Sequence, residues 1–496
     1  MIRSTYDRLK HASALPVERS AELNGPAVCF FFEGMSIQTL EICGLRGFGR
    51  SQKITFAIPN GTLGSGLTIF VGPNSGGKST IVEALRALSM RREQSFSVGK
   101  RNQEAKDRVM ISAVDTAGAS HKLETIESGG SEASYSGTDA LGRIYVLPSR
   151  RFFEPLFGKS SATRDAYITG YSLPPTRGSA LNQFAHRLFA LQEDGAKKKQ
   201  FNEVLERLVQ PLPNWTIDLA DSGQYFLKFR TGKSSHNSDG LGEGLVSCFF
   251  IVDALYDSTE NDIIVIDEPE LSLHPALQRR LSGLLRQYAS KLQIILATHS
   301  VYMVDFHSIV AGAEIARVFL RGGNTEVRAL TRESIKRIEP FLRNRDNPHI
   351  LGLDAREVFF LDDGVILVEG QDDVVAYPEI ASQVGASFKG HFFGWGVGGA
   401  DNTMAVGNML RDFGCSRVTA IFDGNKRDAA ERFRSEFQEF GCLVIEADDV
   451  RTKAAREARS EVVGLLDQDG KLRSGHREGV AEIVSKANRQ LDGAAK

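Results

Sequence analysis

From Ser36 the chain runs in short alternating units, "QTLEICGL", "KITFAI" and "LTIFVG", which predict brief strands separated by Gly and Asn turns. "STIVEALRAL" then sets Ile81, Ala84, Leu85 and Leu88 at helical spacing, so a strand, a loop and a helix follow one another. Strand-like "RVMISAV" and "RIYVLPS" stand among Gly- and Ser-rich loops. Two helical stripes come next, Leu181, Phe184, Leu188 and Leu191, then Phe201, Val204, Leu205 and Leu208; Gly195 is expected to break them and Pro211 to end the second. The lysine run Lys197 to Lys199 reads as a solvated helix start rather than a nucleic-acid contact. After the β-rich "WTIDLADSGQYFLKFR" and the helix "GLVSCFFIVDALY", the runs "DIIVID" and "LQIILATHS" are apolar throughout. They predict buried parallel strands.

Beyond residue 343 the pattern changes. "RNRDNPHILGLDAREVFF" is polar and irregular, which predicts a linker over 343–360. "GVILV", "KGHFFGW", "RVTAIF" and "CLVIE" then alternate with helical segments, the outline of a smaller βα domain over 361–496. Further helices are expected near 453–466 and 478–491. The larger domain spans 36–342, with the helical hairpin at 181–210 as a candidate dimerisation element. Residues 1–35 lack clear periodicity and form an N-terminal extension.

A chain of 496 residues exceeds one ordinary core, in keeping with two or three domains. A hydrophobic share of 42% and a charged share of 25% are those of a globular protein. Lys+Arg 60 against Asp+Glu 62 leaves a formal charge of −2, so only local patches would bind nucleic acid. Five dispersed cysteines without a C-x-x-C pair predict a reduced, cytoplasmic protein free of structural zinc. No stretch has membrane length.

The chemistry begins at "GPNSGGKST", which fits G-x-x-x-x-G-K-[ST] between a strand and an amphipathic helix. Gly72, Asn74, Gly76, Gly77 and Thr80 shape the loop. Its backbone N–H groups would cradle phosphates, Lys78 would reach the terminal ones and Ser79 would ligate Mg²⁺. "IIVIDEPE" supplies Asp267 for the same metal and Glu268 to orient or deprotonate water. His299 of "ATHS" ends another strand, where it can touch a γ-phosphate. "SDGLGEG", with Ser238, Gly240 and Gly242, opens a helix.

In this order "GPNSGGKST", "SDGLGEG", "IDEPELSLHP" and "ATHS" resemble the ABC ATPase superfamily in its SMC-like branch. That resemblance implies ATP and Mg²⁺ as ligands and a homodimer or higher homo-oligomer formed through the ATPase heads, in which each signature loop completes the other head's site. The loop here departs from the usual LSGGQ. A Gln-loop equivalent would lie near "YVLPSRR", with Arg150 and Arg151.

The smaller domain carries acids at its predicted strand ends: Glu369, Asp423, and Glu446 with Asp448 and Asp449. Carboxyl ends of neighbouring parallel strands open on one crevice. Converging carboxylates suit Mg²⁺ or Mn²⁺, which can assist phosphodiester cleavage. Spacing alone is explained equally well by ordinary turns on a solvated face. "VILVEGQDD" followed by "AIFDGN" resembles the Toprim domain, and an ABC head joined to Toprim resembles the OLD family of ATP-dependent endonucleases. The fold implied is an α/β, ABC-type P-loop ATPase with an inserted helical segment, followed by a Rossmann-like Toprim domain. Carried over, Glu369 and Asp373 match E-G-x-x-[DE], and Asp423 the first acid of D-x-D. The second acid is Asn425, which would ligate the metal through one neutral oxygen and hold it less tightly, unless Asp428 or Asp448 substitutes. Lys453, ahead of Arg451, would steady the scissile phosphate.

These readings predict a metal-dependent DNA endonuclease or nickase gated by ATP, acting in bacterial anti-phage defence, with DNA and a defence-system protein or RNA as partners. An ATP-driven DNA clamp or sensor with a non-cleaving Toprim domain is the alternative that Asn425 keeps open. A primase or topoisomerase fragment would share the acids but does not normally carry an ABC head.

Overall fold

The computed structural model describes residues 35–138, 141–149, 184–231, 234–237, 242–260, 262–343, 347–361, 364–453 and 462–492. The rest of the N-terminal extension, Arg150, Arg151, Ser238 and Gly240 lie outside them.

The wholly apolar runs lie in a six-stranded sheet ordered Asn324–Ala329, Glu314–Arg321, Leu67–Val71, Gln293–Ala297, Ile263–Asp267, Ile144–Leu147. All neighbours are parallel except the hairpin formed by the first two. Every residue of Leu67–Val71, Ile263–Asp267 and Gln293–Ala297 is buried, which explains why these strands show no alternation. The helix Lys78–Ser89 packs Ile81, Ala84, Leu85 and Leu88 into a core shared with Val265 and Ile295 of this sheet. The same core holds Leu40 and Ile111 of a second, antiparallel six-stranded sheet.

On the other side, the apolar helix Glu243–Tyr256 is covered by the helices Phe184–Glu193 and Gly195–Leu208. Phe184 stacks on Phe250 with ring centroids 3.8 Å apart. Leu181 lies outside the described residues, but the rest of the two apolar stripes is buried within the chain, and any role in dimerisation falls to the polar outer faces of the hairpin. The break between the helices is Asp194, not Gly195: its carboxylate accepts the N–H groups of Ala196 and Lys197, and Gly195 is the first helical residue.

The segment expected as a linker folds instead into two short helices, Pro348–Leu351 and Leu353–Glu357. Ile350, Leu351, Ala355, Val358 and Phe359 are buried in a cluster that runs from Ile335 and Ile338 to Val365 and Leu367. Five apolar positions at helical spacing were hidden among charged neighbours. The smaller sheet is joined to the larger domain by a continuous core.

That smaller sheet is parallel, ordered Gly390–Phe392, Gly364–Leu367, Val418–Phe422, Gly441–Val444. A helix spans Arg477–Leu491. The helix expected near 453–466 is not formed in the described part: Lys453 bridges to Val462 and Arg451 to Leu466. Gly464 allows this close pass, since a Cβ there would lie 2.2 Å from the carbonyl carbon of Arg451. Among the described residues no helix is long and apolar enough to cross a membrane.

Candidate functional site

The loop 72–77 lies flat against the strand Glu314–Arg321. A Cβ at Gly72 or Gly76 would come within 2.3 or 2.4 Å of the Val318 carbonyl, and Gly72 and Gly77 adopt φ of 129° and 114°. Lys78 is only 5% exposed, and its Nζ donates to the carbonyls of Gly72 at 2.8 Å and Pro73 at 2.9 Å. Burial lowers its pKa to about 8, against the opposing pull of Asp267, Glu268 and Glu270. Ser79 Oγ donates to Asp267 Oδ1 at 3.4 Å, so a hydroxyl and a buried carboxylate face one point, as a Mg²⁺ site requires. Thr80 is buried in the first helical turn and Asn74 is exposed on the loop.

Glu268 has φ of 49°, a conformation uncommon outside glycine, and its N–H donates to the Ala297 carbonyl at 2.7 Å. His299 is half-buried. Burial and the neighbouring Lys78 cation push its pKa down to about 4, so the ring is neutral at neutral pH. Glu270, which the sequence reading passed over, joins the two strand ends: Oε1 accepts the His299 N–H at 2.6 Å and Oε2 the Thr298 hydroxyl at 2.7 Å. Burial raises its pKa. The second glutamate of "DEPE" was the available signal. Gly242 caps the helix Glu243–Tyr256, and Ser272, just past the "DEPE" run, donates to Glu243 Oε2 at 2.7 Å.

In the smaller sheet the strand order reverses at Gly364–Leu367 and Val418–Phe422, the switch point where doubly wound sheets open a crevice. Glu369 follows the first of these adjacent strands and Asp423 the second, so both sit at the same sheet end. Asp373, on the helix Gln371–Gln383, accepts the Gly370 N–H at 2.9 Å. Burial, reinforced by Asp373, Asp449 and Glu369, raises the pKa of the 9% exposed Asp423 to about 8. Burial likewise raises Asp373 to about 6, with Asp449 and Glu369 adding to the shift.

The fourth acid is Asp449. Asp448 is exposed, whereas the half-buried Asp449 is among the charges that raise both Asp373 and Asp423. Asn425 and Asp428 are likewise exposed, on the turn Gly424–Lys426 and the following helix. Lys453 Nζ donates to Asp449 Oδ2, while Arg451 donates to Asp372 Oδ2 at 2.6 Å. Lys426, also passed over, lies 3.8 Å from Glu369 Oε1. Glu369 Oε2 is buried without a hydrogen-bond partner among the described residues. This all-oxygen set fits a hard divalent cation. Among the described residues no three His, Cys, Asp or Glu side chains already form a metal-holding group.

Residues 39–208 match an AAA domain family, and residues 144–305 match the AAA domain family described with the AbiEii toxin and Type IV TA system. Both matches fall within the larger domain, which is similar to AAA-type ATPase domains. The chain is 24% identical over 304 residues to Septu protein PtuA of Bacillus thuringiensis, covering 55% of this chain and 74% of that protein. It is also similar to the Smc head domain with an extended coiled coil from Pyrococcus furiosus, at 14% identity and a TM-score of 0.39, covering 62% of this chain and 100% of that one. For the SMC head domain from Thermotoga maritima the values are 14%, 0.35, 59% and 98%.

The ATPase domain touches the acid crevice through the short helices at 348–357. Arg356 donates to the Val304 carbonyl, five residues beyond His299. Gly394 packs on Ala355, where a Cβ would lie 3.2 Å from the Ala355 nitrogen. From the same loop, Gly398 and Gly399 donate N–H groups to the Glu369 carbonyl at 2.9 and 3.0 Å.

Proposed function

We propose that this chain is an ATP-hydrolysing, metal-dependent DNA endonuclease or nickase in which the nucleotide state of the ATPase domain regulates cleavage at a Toprim-like crevice, as the resemblance to the OLD family implies. The observation that carries this reading is the emergence of Glu369 and Asp423 from adjacent parallel strands at the switch point, with Asp373 and Asp449 close enough to Asp423 to help raise its pKa.

In the ATPase site, Lys78 and the loop N–H groups are the groups that would hold phosphates, and Ser79 and Asp267 those that would hold Mg²⁺. Glu268 positions or deprotonates the attacking water. Neutral His299 offers a ring N–H to the terminal phosphate. In the crevice, Glu369, Asp423, Asp373 and Asp449 are the residues that would hold Mg²⁺ or Mn²⁺. A bound divalent ion polarises a phosphoryl group and lowers the pKa of water. Lys453 and Lys426 would neutralise the phosphate that the acids would otherwise repel. DNA, a second copy of the chain through the ATPase domains, and a defence-system protein or RNA are the partners this reading implies.

A second reading, an ATP-driven DNA clamp or sensor that does not cut, is favoured by exposed Asn425 in place of a carboxylate. Supercoiled plasmid incubated with Mg²⁺ or Mn²⁺, with and without ATP, separates them. Nicking by the wild type that is lost in Glu369→Ala supports the nuclease. ATP turnover without cutting in either metal supports the clamp.

A further inference from the structure

We propose that Trp395 is a stacking platform for an unpaired nucleobase of the strand held at the acid crevice. This rests on the crevice being a nucleic-acid site. The chain has two tryptophans. Trp215 is 2% exposed, with its indole N–H bonded to Asn202 Oδ1 at 2.9 Å. Trp395 is 50% exposed and belongs to none of the apolar clusters. Burial of apolar surface therefore accounts for little of so large a ring there.

Its placement is nonetheless fixed. Gly394, Gly396, Gly398 and Gly399 take φ of 50°, 80°, 73° and 124°, so the loop "GWGVGG" follows a path that side chains rarely allow. At Gly396 a Cβ would lie 2.7 Å from the backbone of Gly370, so Trp395 is one residue from direct contact with the turn that follows Glu369. The indole N–H donates to Asp354 Oδ2 at 2.7 Å, and the Trp395 carbonyl lies 3.0 Å from His349 Nδ1. The ring is tethered at its nitrogen edge, and among the described residues no aromatic ring or cation packs on its faces.

An exposed, edge-tethered indole beside a crevice flanked by Lys426, Arg451 and Lys453 matches how single strands are held, with bases on aromatic faces and phosphates on cations. A paired base cannot offer its face, so the occupant is an unpaired nucleobase.

The test uses the full-length Glu369→Ala protein in Mg²⁺, which retains Trp395, titrated with a single-stranded oligodeoxynucleotide and with a blunt duplex of the same sequence. Trp215 is buried, so the response reports Trp395. The single strand should quench emission, and Trp395→Ala in the same background should weaken its affinity roughly tenfold, while Trp395→Phe retains most of it. Thermal melting of Trp395→Ala identifies a folding defect, in which case the quenching and the Trp395→Phe affinity decide. Unchanged emission with bound oligonucleotide, equal quenching by the duplex, or a response to a protein partner but not to DNA overturns the proposal. Plasmid nicking by the wild type is scored separately: nicking without quenching defeats the stacking role alone, and quenching without nicking defeats the cutting role alone.

Discussion

Glu270 holds His299 by its backbone, accepting the N–H at 2.6 Å through Oε1 while Oε2 accepts the neighbouring Thr298 hydroxyl at 2.7 Å. One buried carboxylate thus fixes the end of the histidine strand relative to the strand that carries Asp267 and Glu268. Glu270→Ala removes both bonds, and a small displacement of a reacting group is costly. ATP turnover measured by phosphate release should fall roughly 10²-fold. Glu270→Gln keeps one acceptor oxygen and should lie between. Wild-type turnover in Glu270→Ala would remove Glu270 from the machinery.

Lys78 should impose a basic limb on ATP use. The ammonium is the phosphate-binding form, and burial has lowered its pKa from 10.5 to about 8 in the free protein. kcat/KM reports the free enzyme, so it should decline as pH rises through about 8. His299, depressed to about 4, is already neutral at pH 6 and adds no limb between pH 6 and 8. A kcat/KM profile flat to pH 10 would contradict the assignment.

The two sites differed in how much of them could be read in advance. Gly72, Lys78, Ser79, Asp267 and His299 were legible because backbone and metal chemistry tie those residue types to fixed places in a strand, loop and helix. The crevice acids were less so. Glu369 and Asp423 follow apolar strands, but whether Asp448 or Asp449 turns inward depends on one residue of turn geometry, which has no composition signal. The short helices at 348–357 were missed because Asp354, Arg356 and Glu357 mask the apolar face made by Ile350, Leu351, Ala355, Val358 and Phe359.

Asp449 and Asp448 therefore make a matched pair of substitutions. Asp449 acts on both Asp373 and Asp423 and binds Lys453, whereas Asp448 is exposed. Asp449→Ala should reduce plasmid nicking at least roughly tenfold, in line with loss of a residue that orients metal ligands. Asp448→Ala should cut as the wild type does. The reverse ranking would restore Asp448 to the site.

The crowded acids also predict an inverse pH dependence of stability without metal. Asp373 and Asp423 have folded pKa values of about 6 and about 8, both above the ordinary 3.8. A raised folded pKa gives a contribution fully present below the unfolded value and lost as pH climbs through the folded one. In chelator, Tm should fall as pH rises from about 4 to about 8 and level off above that, with roughly 2–4 °C for each 1 kcal/mol lost. Excess Mg²⁺ or Mn²⁺ should restore it at the upper end. A Tm that rises over this range in chelator would mean that other groups dominate.

Communication between the sites should pass through Arg356. Its guanidinium donates to the Val304 carbonyl, donates from Nε to the Leu351 carbonyl at 2.8 Å, and lies 5.3 Å from the Phe306 ring centroid. The segment beyond His299 is thereby clamped to the helix that bears Ala355, on which the Gly394 loop rests, and that loop holds the Glu369 carbonyl. A shift of the histidine strand on nucleotide binding has a packed route to the crevice, because a dense interior transmits displacement rather than absorbing it. Arg356→Ala removes the clamp while leaving Lys78, Glu268 and Glu369 in place. ATP turnover should stay within a few-fold of wild type, while the ratio of nicking rates with and without ATP, roughly 5–150-fold for ordinary coupling, should move toward one. Whether ATP raises or lowers cutting does not matter to this test: an unchanged ratio in a folded Arg356→Ala protein would show that the sites communicate by another route.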